Sequence, residues 1–499
     1  MKTSTRFFSW IMVCFIAVSI VCLSLAGYEA RAAEFKTIEP GVLTVGTSTG
    51  FPPFEYIGDD GNPDGFDVAF IKEVGKRLGL KVKVQDMEFN ALVASVGNKT
   101  DVAIAGMTVT DERKQAVDFS DPYYDAVQYV LVRKGSNMRS INDLHGATLA
   151  AQLGTTGNLL ADDIVKANSQ TVLKTYDRFP EAVNDLKAGR VDAIILDKTP
   201  AQTFERIYSG EIEAVSGDEF GFEVEKYAVA MPKGSNQLSS AINKAIADLK
   251  NDGTYDRIIN EYINADGGER SNTIVDQFVS AFITSNRWSM YLNGLLLTMQ
   301  IAFFAALVGI VIGTLLALMR ITKNHKGKNT ILSLISGIYI DIIRGTPLVL
   351  QLLIMWFIIM KNSKDGVLVA VVAFGLNSAA YVAEIIRAGI LAVDSGQMEA
   401  GRSMGFTRAQ TMRYIVLPQA LKNSLPPLCN EFISLLKETA IVGYVALSDL
   451  TRVANQISSA TYQPFVPLIG AAVIYFVVIK ILTLLLGVLE RRLRRSDIR

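Results

Sequence analysis

The sequence predicts two folds in one chain: an α/β region of two lobes, then an all-α region of five membrane-spanning helices. Three observations predict it. Up to about residue 265, short β-branched runs alternate with helical stretches, as expected of strands crossed over by helices. Beyond that point long stretches carry no charge. The chain as a whole is 50% hydrophobic with a mean hydropathy of +0.28, too apolar for an ordinary soluble protein of 499 residues. A polar break over residues 266–273, with Gly267-Gly268 inside it, separates the two regions.

Residues 1–33 read as an export signal. Lys2 and Arg6 give the charged start, Phe7 to Ala26 the apolar run, and Ala30-Arg31-Ala32 the small-x-small cleavage pattern. A run of about 20 residues also spans a bilayer, so a cleaved signal and an uncleaved anchor both stay open. Cys14 and Cys22 lie in this segment and Cys429 far beyond it. That leaves no disulfide pair for the outer region and no Cys/His cluster for a metal. His145 and His325 are the only histidines.

Residues 34–265 contain the strand-like runs Leu43–Gly46, Val82–Val84, Val102–Ala105 and Ala193–Leu196, with a helical stretch from Val68 to Leu78. This spacing predicts mostly parallel strands in two lobes. Residues 266–285 are expected to be a linker, and residues 286–499 a membrane domain with spans near 292–319, 331–360, 367–391, 421–446 and 465–489.

Charge gives the orientation. Arg320, Lys323, Lys326 and Lys328 lie in one loop, Arg402, Arg408 and Arg413 in another, and five arginines fall in the last nine residues. Five spans put all three segments on one side, opposite residues 34–265, so the positive-inside rule agrees with export of the first region. The expected location is a cell membrane, with the first region outside and the C-terminus in the cytoplasm. Net charge is zero, which argues against a nucleic-acid partner.

The most specific motif is Glu399-Ala400-Gly401-Arg402-Ser403-Met404-Gly405, nine residues, then Ile415-Val416-Leu417-Pro418. It resembles the E-A-A, three residues, G, nine residues, I-x-L-P loop of ABC-importer permeases, with Gly401 in place of the second alanine. The resemblance implies a cytoplasmic coupling helix near 396–418 that docks on an ATPase subunit. Pro418 is expected to end that loop. Gly-Lys-Asn at 327–329 lacks the spacing and hydroxyl of a phosphate loop. ATP would therefore act through a separate ATPase partner, and no cofactor is bound directly. Arg344-Gly345-Thr346-Pro347-Leu348 and Ala380 to Arg387 resemble the polar-amino-acid branch of these permeases. Glu384 and Arg387 are spaced to pair. Glu431 falls inside the expected fourth span; together with Arg344 and Glu384 it is a candidate for the membrane pathway, the other reading being a pair with Lys437.

In the outer region, Phe51-Pro52-Pro53-Phe54-Glu55-Tyr56, Gly65-Phe66-Asp67, Gly106 to Arg113 and Asp118 to Tyr124 resemble the polar-amino-acid-binding proteins over about residues 38–265. The resemblance implies the type II periplasmic-binding-protein fold, two α/β lobes that close on an L-amino acid. A carboxylate ligand wants a bidentate guanidinium and backbone donors. The resemblance gives Arg113 that role, with Thr108 and the Gly154-Thr155-Thr156 turn adding donors. Gly106 and Asp197 would take the ammonium, and Phe51 and Phe89 would wall the side chain. Close glutamine-binding relatives carry an aspartate where this chain has Ser48 and a lysine where it has Gln152. Those differences make a basic ligand such as arginine as plausible as glutamine, with Glu55 or Glu88 as a source of charge.

The expected whole is a membrane subunit of an amino-acid importer, working as a homodimer in lipid with an ATPase. A ligand-gated channel of glutamate-receptor type is the alternative, but there the pore interrupts the two lobes, whereas here both precede the spans. An enzyme would need an acid and base in the cleft, and the sequence suggests neither.

Overall fold

A computed structural model describes residues 35–58, 60–264, 273–322 and 330–494, with side chains to 488. The expected signal segment and the first part of the expected linker lie outside the described residues.

The first lobe is built on β1 (Val42–Thr47), β2 (Lys81–Asp86), β3 (Val102–Ala103) and β4 (Val117–Phe119). The second lobe follows through β5 (Tyr124–Arg133), β6 (Thr148–Gln152), β7 (Val172–Tyr176), β8 (Ala193–Asp197) and β9 (Ile212–Ser216). The chain then returns through β10 (Val224–Tyr227) to β11 (Ala230–Pro232) in the first sheet. The sheet orders are β2-β1-β3-β11-β4 and β9-β5-β8-β6-β7.

The strands are less uniformly parallel than expected. β1 pairs in parallel with β2 and β3, and β6 with β7 and β8. β11, β9 and β10 add antiparallel pairs. The physical reason is the double crossing between lobes. β5 leaves the first lobe and β10 returns beside it in the opposite direction, Tyr124 facing Tyr227. This two-stranded connection is the hinge.

Each lobe buries its own core. Leu43, Val45, Phe66, Phe70, Ile104 and Tyr123 fill one side of the first sheet, and Phe66 and Phe70 stack with centroids 6.0 Å apart. Burying each such side chain contributes about 2–3 kcal/mol. Val130, Val132, Leu149, Ile195 and Phe220 fill one side of the second sheet.

The C-terminal region is helical. The helices Trp288–Arg320, Gly366–Leu391 and Phe465–Val488 are long and apolar enough to cross a membrane. The expected second span is two helices, Ile331–Arg344 and Leu348–Ile359, bent by 105°. The break falls at Gly345-Thr346-Pro347, where proline cannot donate to the preceding turn. The expected fourth span is the helix Leu417–Glu438, which is not among the long apolar helices; Lys422, Glu431, Lys437 and Glu438 make it too polar. So among the described residues the count by length and composition is three, or four with the bent pair, against five expected.

Trp288–Arg320 and Gly366–Leu391 pack at glycines, because a Cβ on Gly313 would sit 2.7 Å from the Cβ of Val382. Small residues let backbones approach where lipid offers no hydrophobic drive. The latter half of the expected linker 266–285 is not extended. Ile274–Phe278 is helical, and Phe282 stacks on Tyr291 at 4.8 Å.

Candidate functional site

A small cavity lies between the two lobes. Phe51, Phe89, Gly106, Thr108, Arg113, Gln152, Thr155, Thr156 and Asp197 all line it. Ser48 and Glu55 line it too. Residues as far apart in sequence as Ser48 and Asp197 meet there because the two lobes face each other across it.

Arg113 stands on the short helix Asp111–Ala116, capped by the Thr110 hydroxyl. One guanidinium nitrogen donates to the Thr108 carbonyl at 2.7 Å and another to the Gly154 carbonyl at 2.9 Å. The guanidinium lies 5.4 Å from the Phe89 ring centroid. Burial lowers its pKa, against the opposing pull of the Glu225 charge. From the second lobe, the helix Thr156–Ala167 begins at the cavity wall with Thr155 as its cap. A helix start presents unpaired N–H groups and a partial positive charge, which suits a carboxylate.

Asp197 ends β8 and is buried. It accepts from Gln128 Nε2 at 2.9 Å and from the Tyr227 hydroxyl. Burial, then the Glu225 charge, raises its pKa to about 7. Gly106 gives its N–H to Asp67 at 2.6 Å, which leaves its carbonyl for another donor. Gln152 gives its amide N–H to the Asp177 carbonyl at 2.9 Å.

Three residues at this site were not singled out in the sequence. Gln128 and Tyr227 orient Asp197. The Glu225 carboxylate accepts from the Thr108 hydroxyl at 2.6 Å and the Thr156 hydroxyl at 2.8 Å. The Thr108 hydroxyl expected to serve a ligand is thus engaged inside the protein. All three lie on β5 or β10, and the two crossings bring them against the lining residues Thr108, Thr156 and Asp197.

Glu55 and Glu88 part company. Glu55 is buried at the cavity, where burial and then the Asp67 charge raise its pKa. Glu88 lies outside the cavity lining and pairs with Arg178 at 3.0 Å and with Arg452. Burial alone would raise its carboxyl, but those two guanidiniums outweigh it and hold it at about 2.

The second motif forms the helix Ser395–Ser403, a turn at Gly405 with φ +90°, and a helical run from Arg408. Glu399, Ala400 and Met404 are exposed on it. Gly401 is buried, and a Cβ there would lie 2.5 Å from Thr411 Cγ2 and 2.9 Å from Ile415 Cδ1. The departure from alanine therefore has a local cause. Leu417 and Pro418 do not end the loop. The π-turn Met412–Val416 leads straight into Leu417–Glu438, so the missing proline N–H falls where the helix is already widened.

In the membrane region, Arg344 lies over the Tyr381 ring, 5.2 Å from its centroid. Glu384 pairs with Arg387 at 2.6 Å. Glu431 accepts from the Ser378 hydroxyl at 2.8 Å, and no ion pair between it and Lys437 is formed among the described residues. Ser378, Tyr381 and Glu384 follow one another at three-residue steps on the same helix.

Two families of known proteins match separate parts of the chain. Residues 43–265 match the bacterial extracellular solute-binding proteins, family 3. Residues 309–495 match the binding-protein-dependent transport system inner membrane component. An arginine transport system permease of Bacillus subtilis is 43% identical over 209 residues, 41% of this chain and 93% of that protein. A putative glutamine transport system permease of Rickettsia bellii is 40% identical over 204 residues, 40% of this chain and 91% of that protein. The L-cystine-binding protein of Escherichia coli K12 is 33% identical over 256 residues, 50% of this chain and 94% of that protein.

Proposed function

Because the chain belongs to the inner membrane components of binding-protein-dependent transport, with a family 3 solute-binding domain ahead of that part, we propose that it captures polar or basic L-amino acids and passes them inward as one subunit of an ATP-driven importer. The observation that carries this reading is the opposed pair in one cavity. Arg113 of the first lobe lines it beside the start of the Thr156–Ala167 helix, and Asp197 of the second lobe lines it together with Gly106 of the first. An α-amino acid carries one carboxylate and one ammonium, and these two poles match them. Phe51 and Phe89 flank the space left for a side chain. Gln152 keeps its carbonyl oxygen as an acceptor, which favours arginine or glutamine, the substrates named for two of the relatives.

The exposed face of Ser395–Ser403, with Glu399, Ala400 and Met404, is the docking surface for a separate ATPase, which supplies the ATP step. Two copies of the membrane region would enclose a pathway, with Arg344, Glu384 and Glu431 along it and lipid against the outward helix Phe465–Val488, which is almost unburied within the chain. The outer domain closes on its ligand, docks, and the ATPase pair drives the spans.

Uptake of labelled L-arginine and L-glutamine into vesicles holding the chain and an ATPase subunit tests the reading. ATP-dependent accumulation is expected. Amino-acid-gated ion current without ATP would overturn it in favour of a channel. Melting shifts across the common L-amino acids identify the ligand.

A further inference from the structure

The helix Leu450–Thr461, which follows the expected fourth span, packs on the membrane-region helices with Leu450, Val453 and Ile457 and turns Arg452 to the solute-binding domain. Arg452 on it is 2% exposed. It donates to both carboxylate oxygens of Asp86 at 2.8 Å and pairs with Glu88, all in the first lobe. Glu88 in turn accepts from Arg178, the residue that precedes the helix Phe179–Lys187 of the second lobe. One carboxylate thus joins the permease to both lobes.

Tyr462 makes the same connection directly. Its hydroxyl donates to the Pro52 carbonyl of the first lobe at 2.7 Å, and its own carbonyl accepts from the Tyr208 hydroxyl of the second lobe at 2.9 Å. Its ring meets Phe204 edge-on at 4.9 Å. It is 6% exposed and completes the second lobe's apolar cluster, against which the ligand wall Phe51 also packs. Its backbone is left-handed, with φ 57°, a conformation that bulky L residues avoid unless contacts hold it.

The contacts of Tyr462 need both lobes in place at once. Opening the cleft moves Pro52 away from Tyr208 and Phe204, so the residue cannot keep both sets. By contrast, Lys99 donates to the Met360 and Ser363 carbonyls, and Lys364 to the Ile38 carbonyl, from the first lobe alone. Those contacts survive opening.

We propose that Tyr462, supported by Arg452, is a two-lobe clamp through which the permease recognises the closed form of its own binding domain. The inference rests on the importer reading and adds the residues that tell a shut domain from an open one. Clamp and ligand then favour the same state, so each strengthens the other by the same factor. The first lobe is the fixed dock, and the second is the part whose position is read.

The test uses the full chain in lipid nanodiscs. Its cysteines are replaced by serine, and spin labels are placed at Lys76 and Lys166, exposed positions on different lobes. Without amino acid, a closed interlobe distance is expected to dominate in the parent chain, and the ratio of closed to open molecules to fall about threefold or more in Tyr462→Ala and in Tyr208→Phe. Saturating L-arginine should restore closure in each, with a Kd for L-arginine weakened by the same factor. Unchanged distances and unchanged Kd in both variants would overturn the clamp. If neither L-arginine nor any other common L-amino acid binds the parent chain or raises the closed share of the variants, the importer reading fails instead, and the ligand-free distances still judge the clamp.

Discussion

Arg113 reaches from the first lobe to donate to the Gly154 carbonyl of the second at 2.9 Å. The residue expected to hold a ligand's carboxylate is therefore also a bridge across the cleft. Arg113→Ala removes both functions. The Kd for L-arginine should rise about a hundredfold, roughly 3 kcal/mol. Arg113→Lys keeps the charge but loses the planar fork, and should cost about tenfold. Calorimetric titration of the two variants measures the difference.

If Asp197 takes the ligand ammonium as proposed, ligand binding should depend on pH. Its pKa is raised to about 7, so the protonated form is favoured in the empty cleft below that pH. A bound ammonium needs the carboxylate, and binding must then expel a proton. Affinity should fall as pH drops from about 7 toward 5, by at most about tenfold per unit, and level off above 7. Asp197→Asn should bind weakly with a flat profile. Titrations between pH 5 and 8 check both.

Gly401→Ala should injure transport without touching ligand binding. The added methyl meets Thr411 at 2.5 Å, and overpacking of this kind costs about 1–3 kcal/mol. The Ser395–Ser403 helix must shift relative to the run it packs on. ATP-driven uptake should drop while the Kd stays within error. Adding Thr411→Ser, which removes the nearest methyl, should restore part of the uptake.

Arg452→Ala leaves the buried Asp86 without its ion-pair partner and Glu88 with Arg178 alone, and about 3–5 kcal/mol of docking is expected to be lost. Hydrogen-exchange protection of the 450–461 backbone reads this. In the parent chain, Glu88 has a pKa held down at about 2 from an ordinary 4.5. Its contribution is present above about 4.5 and is lost as pH falls toward 2. Protection should therefore be steady from pH 5 to 8 with respect to this group and decline below 4.5.

Much of this was legible from residue order alone, because strands and loops are written in local periodicity and spacing. The α/β lobes, the break near residue 266, the Glu399 to Pro418 motif and the set Phe51, Arg113, Asp197 are all short-range or motif-bound features. What the chain order could not show depended on contacts across distance. Glu225 and Tyr227 enter the cleft only because β10 returns beside β5. Asp86 and Arg452 meet across 366 residues, and no spacing rule reaches that far. Gly401 looked like a blemish in a motif until Thr411 was seen lying against it. Glu88, read as a candidate for ligand charge, turned out to face Arg178 and Arg452 instead. Sequence determined which chemistry was present, since side-chain types and local periods are intrinsic to it. Tertiary structure decided which groups share a low-dielectric space, and so which carboxylate waits for a ligand and which already has its partner.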